Sequence, residues 1–421
     1  MDYTLDLDEA RRFDQQDELA PFRKRFVVDD PDLIYLDGNS LGRLPKATQA
    51  HMKALIDRAW GQQLIRGWNL DWMEAAERIG GKLARLVGAH ADEVVLADST
   101  SVNLFKLAYA ALQALPERHK IVTDDLNFPS DHYILQQLTR MMGRPIELCV
   151  VPSSDGVYGP SEDLLLAIDE DTALVTLSHT VFKTSFTYDM RAVTEHAERA
   201  GALTLWDISH SVGAMPIELN GCHVPLAVGC TYKHLNGGPG SPAFLYVSRQ
   251  WQDKLVNPIS GWMGQRNVFD FELQYDAAPG IRHFLTGTPF VLSQAAVEPA
   301  VDLFLEAGMD KVRAKAERQS RYLVALWEAW LKPLGFRLNS PREMAQRGSH
   351  VSLGHDEGLR VDLALIHDQQ VIPDFRPPDN IRFGVTPLYT TFEEVFEAMK
   401  RLRSVVSEKL YEKYTDAPAV T

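Results

Sequence analysis

The sequence has few cysteines and no long hydrophobic run. Its three cysteines, Cys149, Cys222 and Cys230, form no CxxC pair, which argues against a disulfide framework or a zinc cluster and favours a reducing compartment. No apolar stretch approaches the roughly 20 residues that a membrane helix needs. The acidic, polar start has neither the basic nor the apolar region of a signal peptide. We therefore expect a cytoplasmic protein without a membrane segment.

Positive charge is also scarce. The chain has 43 Lys and Arg against 57 Asp and Glu, a formal net charge of −14. A chain of this sign does not attract nucleic acid or an anionic membrane, so neither is an expected partner. Internal repeats are absent, and no GxGxxG or GxxxxGK[ST] motif follows the first predicted strand, which argues against a nucleotide-binding protein.

The sequence does contain a regular alternation of strand-like and helix-like segments. From about residue 92, short apolar runs are separated by amphipathic helical patterns. Continuous apolar strands separated by helices indicate an α/β fold with a mainly parallel central sheet and helices on both of its faces. The predicted strands cover residues 93–100, 119–125, 145–151, 172–180, 202–210, 226–233 and 243–248.

Both ends of the chain lack this alternation. We predict a large domain at residues 46–290, because it holds the alternating segments. Segment 1–45 is predicted to join a smaller α+β domain. The rest of that domain would come from residues 291–421, which begin with a long linking helix. A chain of 421 residues is long for a single core, which fits this division.

Polar residues gather where the predicted strands end. In parallel sheets, ligands bind beyond the carboxyl ends of the strands, so these positions are the first candidates for a site. They are Thr100, Ser101, Ser178, Asp207, His210, Tyr232 and Lys233.

Lys233 and Asp207 carry the chemistry of this set. A lysine amine whose pKa is lowered by burial forms Schiff bases with carbonyl cofactors. A carboxylate at the end of an apolar strand needs a cation, and the protonated ring nitrogen of pyridoxal phosphate is one. Taken singly, Lys233 is better explained as a solvated loop lysine, and a buried helix cap competes as the explanation of Asp207. Their pairing, with both at strand ends, favours the cofactor.

Two helix starts are candidates for the remaining cofactor contacts. Ser99, Thr100 and Ser101 lie at a strand-to-helix junction, where N–H groups and hydroxyls converge on an anion such as a phosphate. At the next helix start Phe128 is placed to stack on a flat ring, with Asp131 near it. Ordinary helix capping, with Phe128 in the core, explains the same residues.

Several segments together resemble the kynureninase family. This family belongs to the fold-type-I, class V aminotransferase-like enzymes that use pyridoxal 5′-phosphate. The similarity runs from about residue 33 to about 390, and the Tyr–Lys pair with its glycine-rich tail is its most specific part. The segments are LDGNSLGRLP (36–45), FPSD (128–131), WDISHS (206–211), GCTYKHLNGGPGS (229–241) and SGWMG (260–264).

The resemblance implies hydrolysis of L-kynurenine to anthranilate and L-alanine in tryptophan catabolism, with 3-hydroxykynurenine as an alternative substrate. It implies a homodimer with shared active sites and no metal. Lys233 would hold the cofactor and move protons, and Asp207 would pair with the ring nitrogen, with His210 beside it. Phe128 would stack on the ring. The further cofactor contacts that it implies are Ser178, Asp131, Thr100, Ser101, Tyr232, Trp262 and Thr288, the last two coming from the partner subunit.

Three further assignments follow from the resemblance. Arg382 would bind the substrate carboxylate through its bidentate fork, with Arg376 as the alternative. Tyr232 would share the proton transfers at the substrate carbonyl. Trp68 would line the pocket for the aniline ring, although a core tryptophan is an equal reading. At Thr288 this chain departs from the asparagine that is frequent in the family.

Other classes remain open at this level. A cysteine desulfurase or selenocysteine lyase would need a histidine before Lys233 and a mobile cysteine further on, whereas Tyr232 precedes the lysine and no cysteine follows Cys230. An aminotransferase uses the same cofactor and lysine. A non-catalytic relative is disfavoured because both Lys233 and Asp207 are present.

Overall fold

The structure, a computed structural model, describes residues 3–415. Its strands are β1 (Ile34–Tyr35), β2 (Val94–Leu96), β3 (Lys120–Asp124), β4 (Glu147–Val151), β5 (Thr172–Ser178), β6 (Leu203–Asp207), β7 (Leu226–Gly229), β8 (Phe244–Val247), β9 (Arg337–Leu338), β10 (Val351–Gly354), β11 (Val371–Ile372), β12 (Asp374–Arg376) and β13 (Asn380–Phe383).

The α-helices account for most of the remaining regular structure. They are α1 (Leu7–Gln15), α2 (Ala20–Arg23), α3 (Lys46–Ala54), α4 (Ala75–Leu86), α5 (Thr100–Ala114), α6 (Pro129–Met141), α7 (Ser161–Ala167), α8 (Met190–Ala200), α9 (Arg249–Gln252), α10 (Val291–Gln294), α11 (Val297–Ala307), α12 (Met309–Leu326), α13 (Gly358–Gln369) and α14 (Phe392–Ser407). None of the helices in the described residues is both long and apolar enough to span a membrane.

A seven-stranded sheet forms the centre of the fold. Its order is β2-β8-β7-β6-β5-β3-β4. Only β8 runs against the others, because it pairs antiparallel with both β7 and β2. Every residue of β5 and β6 is buried, which explains why these strands are continuous apolar runs rather than alternating ones. The predicted α/β fold with a mainly parallel, helix-flanked sheet is confirmed.

The observed strands end earlier than the sequence pattern suggested. Thr100 already belongs to α5, and β7 stops at Gly229. The chain then turns sharply, with the amide of Gly237 donating to the Thr231 carbonyl at 2.8 Å. Asn236 has a φ of 58° within this turn, a left-handed conformation that asparagine tolerates better than most residues. Lys233 therefore lies in a tight loop beyond the sheet edge.

A second sheet is built from the C-terminal part of the chain. It is antiparallel with the order β12-β13-β10-β9. Beside it, β1 pairs in parallel with β11, so residue Ile34 aligns with Val371. Residues Ile34 and Leu36 accordingly share a hydrophobic core with residues from 322 to 405. The domain boundaries at 45/46 and 290/291 remain a proposal.

Candidate active site

Lys233 lies among three of the residues that the sequence singled out. Its Nζ is 2.9 Å from Nε2 of His210. It is 5.9 Å from the ring centroids of both Phe128 and Tyr232. The lysine itself is partly buried. An amine with an imidazole acceptor at hydrogen-bond distance and aromatic rings on its flanks is well placed for proton exchange.

Two buried carboxyl groups face this amine. Asp207 is 8% exposed and Asp131 is 3% exposed. Burial raises the pKa of Asp207, although Lys233 and the Ser209 amide, which donates to Asp207 Oδ1 at 2.8 Å, oppose this. Burial and the Asp207 charge raise the pKa of Asp131 well above its usual range. Two carboxyl groups thus share one ammonium, so a further positive charge would be stabilised at this site.

The N-terminus of α5 forms one border of the site. Ser99 is the N-cap, with its side chain accepting from the Val102 amide, and Thr100 and Ser101 occupy the first turn. The Ser101 hydroxyl is 2.9 Å from that of Ser130, which lies in the first turn of α6 one residue before Asp131. Two helix starts therefore present hydroxyls and N–H groups side by side, as anion sites do.

Ser178 lies at the end of β5, next to Asp207. The two residues are aligned in the β5–β6 pairing. The Ser178 amide donates to the side chain of Asn127, whose own amide group donates to Thr123 and to the Thr176 carbonyl. Asn127 thereby ties the start of α6 to the sheet edge, which fixes Phe128 and Asp131 relative to Asp207.

Tyr232 is held close to a loop from the N-terminal segment. Its carbonyl accepts from the amide of Gly42 at 2.9 Å. A Cβ on Gly42 would lie 2.5 Å from the Lys233 carbonyl, so this close approach requires glycine. Burial raises the pKa of the Tyr232 phenol. The phenol is therefore protonated at neutral pH in the protein alone and is a proton donor.

The two predicted arginines meet at Asp374. Arg382 is 1% exposed and donates from Nε to Asp374 Oδ1 at 2.6 Å, from Nη1 to the Phe182 carbonyl at 2.6 Å, and from Nη2 to Ser40 Oγ at 2.9 Å. A further bond joins Nη2 to Asp374. Four of the five guanidinium N–H groups are thus engaged, and the fork faces Asp374. Arg376 is more exposed and lies 2.7 Å from the same carboxylate.

Three buried imidazoles connect the lysine and the arginines. The ring centroid of His210 is 5.7 Å from that of His350 and 6.2 Å from that of His234. Burial lowers the pKa of all three, and Lys233 and Arg382 lower it further. The pKa of His234 falls to about 3. The three rings are therefore neutral at physiological pH.

Trp68, Trp262 and Thr288 lie in a separate group. The rings of Trp68 and Trp262 are 5.8 Å apart, edge to face. Thr288 is exposed and lines a cavity with Trp72 and Asp98. Among residues 3–415, no hydrogen bond, ion pair or ring contact joins Trp68, Trp262 or Thr288 to Lys233. Their assignment to the pocket, with Trp262 and Thr288 reaching the site of a partner subunit, stays a prediction.

Five residues at the site were not singled out from the sequence. Ser130 and Ser40 stand inside the quoted FPSD and LDGNSLGRLP segments, so their motifs pointed to them without giving a contact. His234 follows Lys233 directly, and this position next to the lysine could have identified it as a candidate. His350 and Asp374 carry no local signal, because only the pairing of β10, β12 and β13 brings them near Arg382.

Comparison with known proteins agrees with this geometry. A family model described as "Kynureninase C-terminal domain" matches residues 312–402. A kynureninase from Pseudomonas fluorescens is 44% identical over 403 residues, covering 94% of this chain and 95% of the relative. The chain belongs to the kynureninase family. A kynureninase from Burkholderia mallei (strain SAVP1) is 41% identical over 409 residues and covers 96% of both chains.

Solved structures show how far the kynureninase fold is shared. A cysteine desulfurase from Thermococcus onnurineus NA1 superimposes with a TM-score of 0.79 at 18% identity, covering 92% of this chain and 98% of its own. A C-DES mutant with glycine covalently linked to its PLP cofactor gives a TM-score of 0.78 at 17% identity, covering 89% and 97%. At identities this low the comparison establishes only the common fold, and the reaction has to be inferred from the residues of the site.

Proposed function

We propose that this chain hydrolyses the Cβ–Cγ bond of L-kynurenine to give anthranilate and L-alanine, with pyridoxal 5′-phosphate as its cofactor. The observation that carries the proposal is the similarity to kynureninases over almost the whole chain. The arrangement of Lys233, His210 and Asp207 supports it independently, because an amine, a neutral imidazole and a buried carboxylate meet at a sheet edge.

The residues of the site fit pyridoxal phosphate. Asp207 and Asp131 are two buried carboxyl groups beside a single ammonium, so a protonated ring nitrogen would balance the charge. Phe128, at 44% exposure, offers an apolar ring face next to Lys233. Thr100 and Ser101, in the first turn of α5, would hold the phosphate. When bound, this cofactor supplies the electron-withdrawing ring that stabilises negative charge at the substrate Cα.

Lys233 and His210 would handle the proton at the substrate Cα. The Lys233 amine would anchor the cofactor and, once the substrate has displaced it, would remove the Cα proton as a base. His210 Nε2 accepts a hydrogen bond from that amine at 2.9 Å. Because His210 is kept neutral by burial and by two neighbouring cations, it orients the amine without adding a charge.

Tyr232 would serve the substrate carbonyl. Hydrolysis adds water at this carbonyl before the Cβ–Cγ bond breaks, and the step needs a proton donor and acceptor. Positioned acid–base groups contribute about 10²–10⁴ in rate. The Tyr232 phenol is protonated in the protein alone, and its ring centroid lies 5.9 Å from the Lys233 Nζ, so it is our candidate for this step.

The arginine pair would bind the substrate carboxylate. Arg382 has one N–H on Nη1 beyond its bonds to Asp374, Phe182 and Ser40. Arg376 bonds to the Phe375 carbonyl, Ser40 and Asp374 and is the more exposed of the two. A carboxylate would therefore be shared between the two guanidinium groups. Trp68 would contribute to the pocket for the aromatic ring.

A homodimer would complete the site. Large apolar side chains are exposed on two neighbouring segments, and Leu273 is fully exposed. Apolar surface of this extent marks a protein interface. With Trp262 and Thr288 in the same region, a second copy would bring these two residues to the first copy's phosphate. The exposed side chains include Ile56, Trp60, Leu64, Ile65, Leu70, Phe269, Phe271 and Leu273.

One assay tests the proposal. Purified protein supplied with pyridoxal phosphate is incubated with L-kynurenine, and anthranilate fluorescence is followed together with alanine. Both products should appear in equal amounts. Parallel incubations with L-cysteine and with an amino-group acceptor test the desulfurase and aminotransferase alternatives. Formation of sulfide or of a keto acid without anthranilate would reject the assignment.

A further inference from the structure

The loop of residues 36–42 touches both parts of the site. Its Gly42 amide bonds to the Tyr232 carbonyl beside Lys233. Its Ser40 hydroxyl donates to Asp374 Oδ2 at 2.8 Å and accepts from Arg382 at 2.9 Å. The same loop carries Asp37, which pairs as an isolated bridge with Gly384, two residues beyond Arg382. A change of charge in this loop therefore acts directly on the arginine pair.

The charges of three carboxyl groups, Asp374, Asp37 and Asp362, act on Arg376. Asp374 is bonded to both guanidinium groups. Asp37 Oδ1 is buried and, among residues 3–415, has no hydrogen-bond partner. Asp362, on α13, is fully buried and neither of its oxygens has a partner in that part of the chain. Asp374 is thus the structural counter-ion, whereas Asp37 and Asp362 are not fully satisfied as anions.

The charge balance decides how well a substrate carboxylate binds here. Two guanidinium groups and one ionised Asp374 leave one net positive charge, which suits one incoming carboxylate. Ionisation of Asp37 would remove that net charge and place a second buried anion near the ligand. Like charges at such a site disfavour each other strongly because water does not screen them.

We propose that Asp37 sets the affinity of the Arg376–Arg382 pair for the substrate carboxylate through its own protonation. Protonated Asp37 leaves the pair able to bind a carboxylate, and ionised Asp37 competes with it. This role rests on the proposed function, since it concerns the α-carboxylate of the substrate. It makes Asp37 a specificity-determining residue that acts through its charge on the arginine pair and not on the reacting bond.

The pKa of Asp37 lies near neutral pH, so its protonation state changes within the physiological pH range. Burial, followed by the Asp374 charge, raises its pKa to about 7, whereas Ser40, Arg382 and Arg376 lower it. Burial also raises the pKa of Asp362 well above its usual value, which favours its neutral form. Arg382 and Arg376 hold the pKa of Asp374 below its usual value in spite of its burial. The other ionisable groups near Asp37 are Tyr35 and Tyr389, whose pKa values are raised, and Arg43, whose guanidinium lies over both of these rings.

The test measures binding without turnover. The holoenzyme is titrated by calorimetry with desaminokynurenine, which keeps the carboxylate and the aryl ketone and lacks the α-amino group. The neutral ketone ortho-aminoacetophenone serves as a probe without a carboxylate. From about pH 6 to about pH 8.5, the Kd of desaminokynurenine should rise about tenfold, whereas that of the ketone should stay constant.

Two variants localise the effect. Asp37→Asn keeps the size and removes the charge, so its Kd for desaminokynurenine at about pH 8.5 should equal that at about pH 6. Asp32→Asn, an exposed change in the same segment, should keep the wild-type profile. Thermal unfolding of both variants checks their folding, and the wild-type profile stands as a test even if Asp37→Asn fails to fold.

The outcomes separate the two proposals. Binding of both probes with a pH-independent Kd for desaminokynurenine, or a wild-type profile in Asp37→Asn, would overturn the role of Asp37 and leave the substrate assignment intact. Failure of both probes to bind at any pH would overturn the substrate assignment and the inference with it.

Discussion

The Lys233 region and the Arg382 region differ in their charge and in how the chain builds them. At Lys233, buried carboxyl groups outnumber the cations, and the groups come from the strand ends of one sheet and from the start of α6. At Arg382, the groups come from the N-terminal loop, from the loop after β5, which supplies the Phe182 carbonyl, and from the small sheet. The first region suits a cationic ring and bond chemistry, and the second suits an anionic group and binding. The comparison predicts that changes in the first act on kcat and changes in the second on KM.

Removal of the lysine should have the largest effect. Lys233→Ala takes away both the covalent anchor and the base, so turnover of L-kynurenine should fall by about 10³-fold or more. The near-visible absorbance of the cofactor bound to the lysine should also disappear. Lys254→Ala, on the exposed surface near Trp251, is the matched control and should leave both properties unchanged. Turnover by Lys233→Ala within tenfold of wild type would place the chemistry elsewhere.

Replacement of Tyr232 should reduce turnover without removing the bound cofactor. Tyr232→Phe keeps the ring beside Lys233 and loses only the hydroxyl, so kcat should fall by about 10²-fold or more while the cofactor absorbance persists. Tyr133→Phe, at an exposed position of α6, removes a hydroxyl without this role. A wild-type kcat in Tyr232→Phe would exclude the phenol from the proton transfers.

The sequence predicted the first region far better than the second. Lys233, Asp207, His210 and Ser178 follow from the rule that ligands bind at the carboxyl ends of parallel strands, because each stands where a local apolar run ends. Asp374 and His350 meet Arg382 only through the antiparallel pairing of distant strands. Sequence spacing does not encode that pairing. The occupation of the Arg382 fork by Asp374 was therefore not predictable. The arginine itself was a candidate from the resemblance, and its binding of the substrate carboxylate stays a prediction.

The arginines should change KM more than kcat. Arg382→Lys replaces a planar fork by a point charge and breaks the bonds to Asp374 and Ser40, so KM should rise about 10- to 100-fold. Arg376→Lys should raise KM less, about threefold to tenfold, because this side chain is one third exposed and makes fewer bonds. Steady-state kinetics of both variants show which substitution raises KM more. A larger effect at Arg376 would make it the principal carboxylate ligand, and a fall in kcat alone would contradict the division between the two regions.

The imidazoles between the two regions should affect stability in acid. Burial lowers the pKa of His234 to about 3, whereas an unfolded histidine titrates near 6.5. The unfolded state therefore takes up a proton that the folded state does not bind, and this group's contribution to stability is lost progressively as the pH falls below about 6.5.

His234→Gln should reduce the dependence of the unfolding free energy on pH by about 1 kcal/mol per pH unit between about pH 6 and about pH 4.5. Urea unfolding at several pH values measures this, and His51→Gln, at an exposed position of α3, should leave the slope unchanged. An unaltered slope in His234→Gln would mean that this ring is accessible to protons in the folded state, and the neutral connection between the lysine and the arginines would then be wrong.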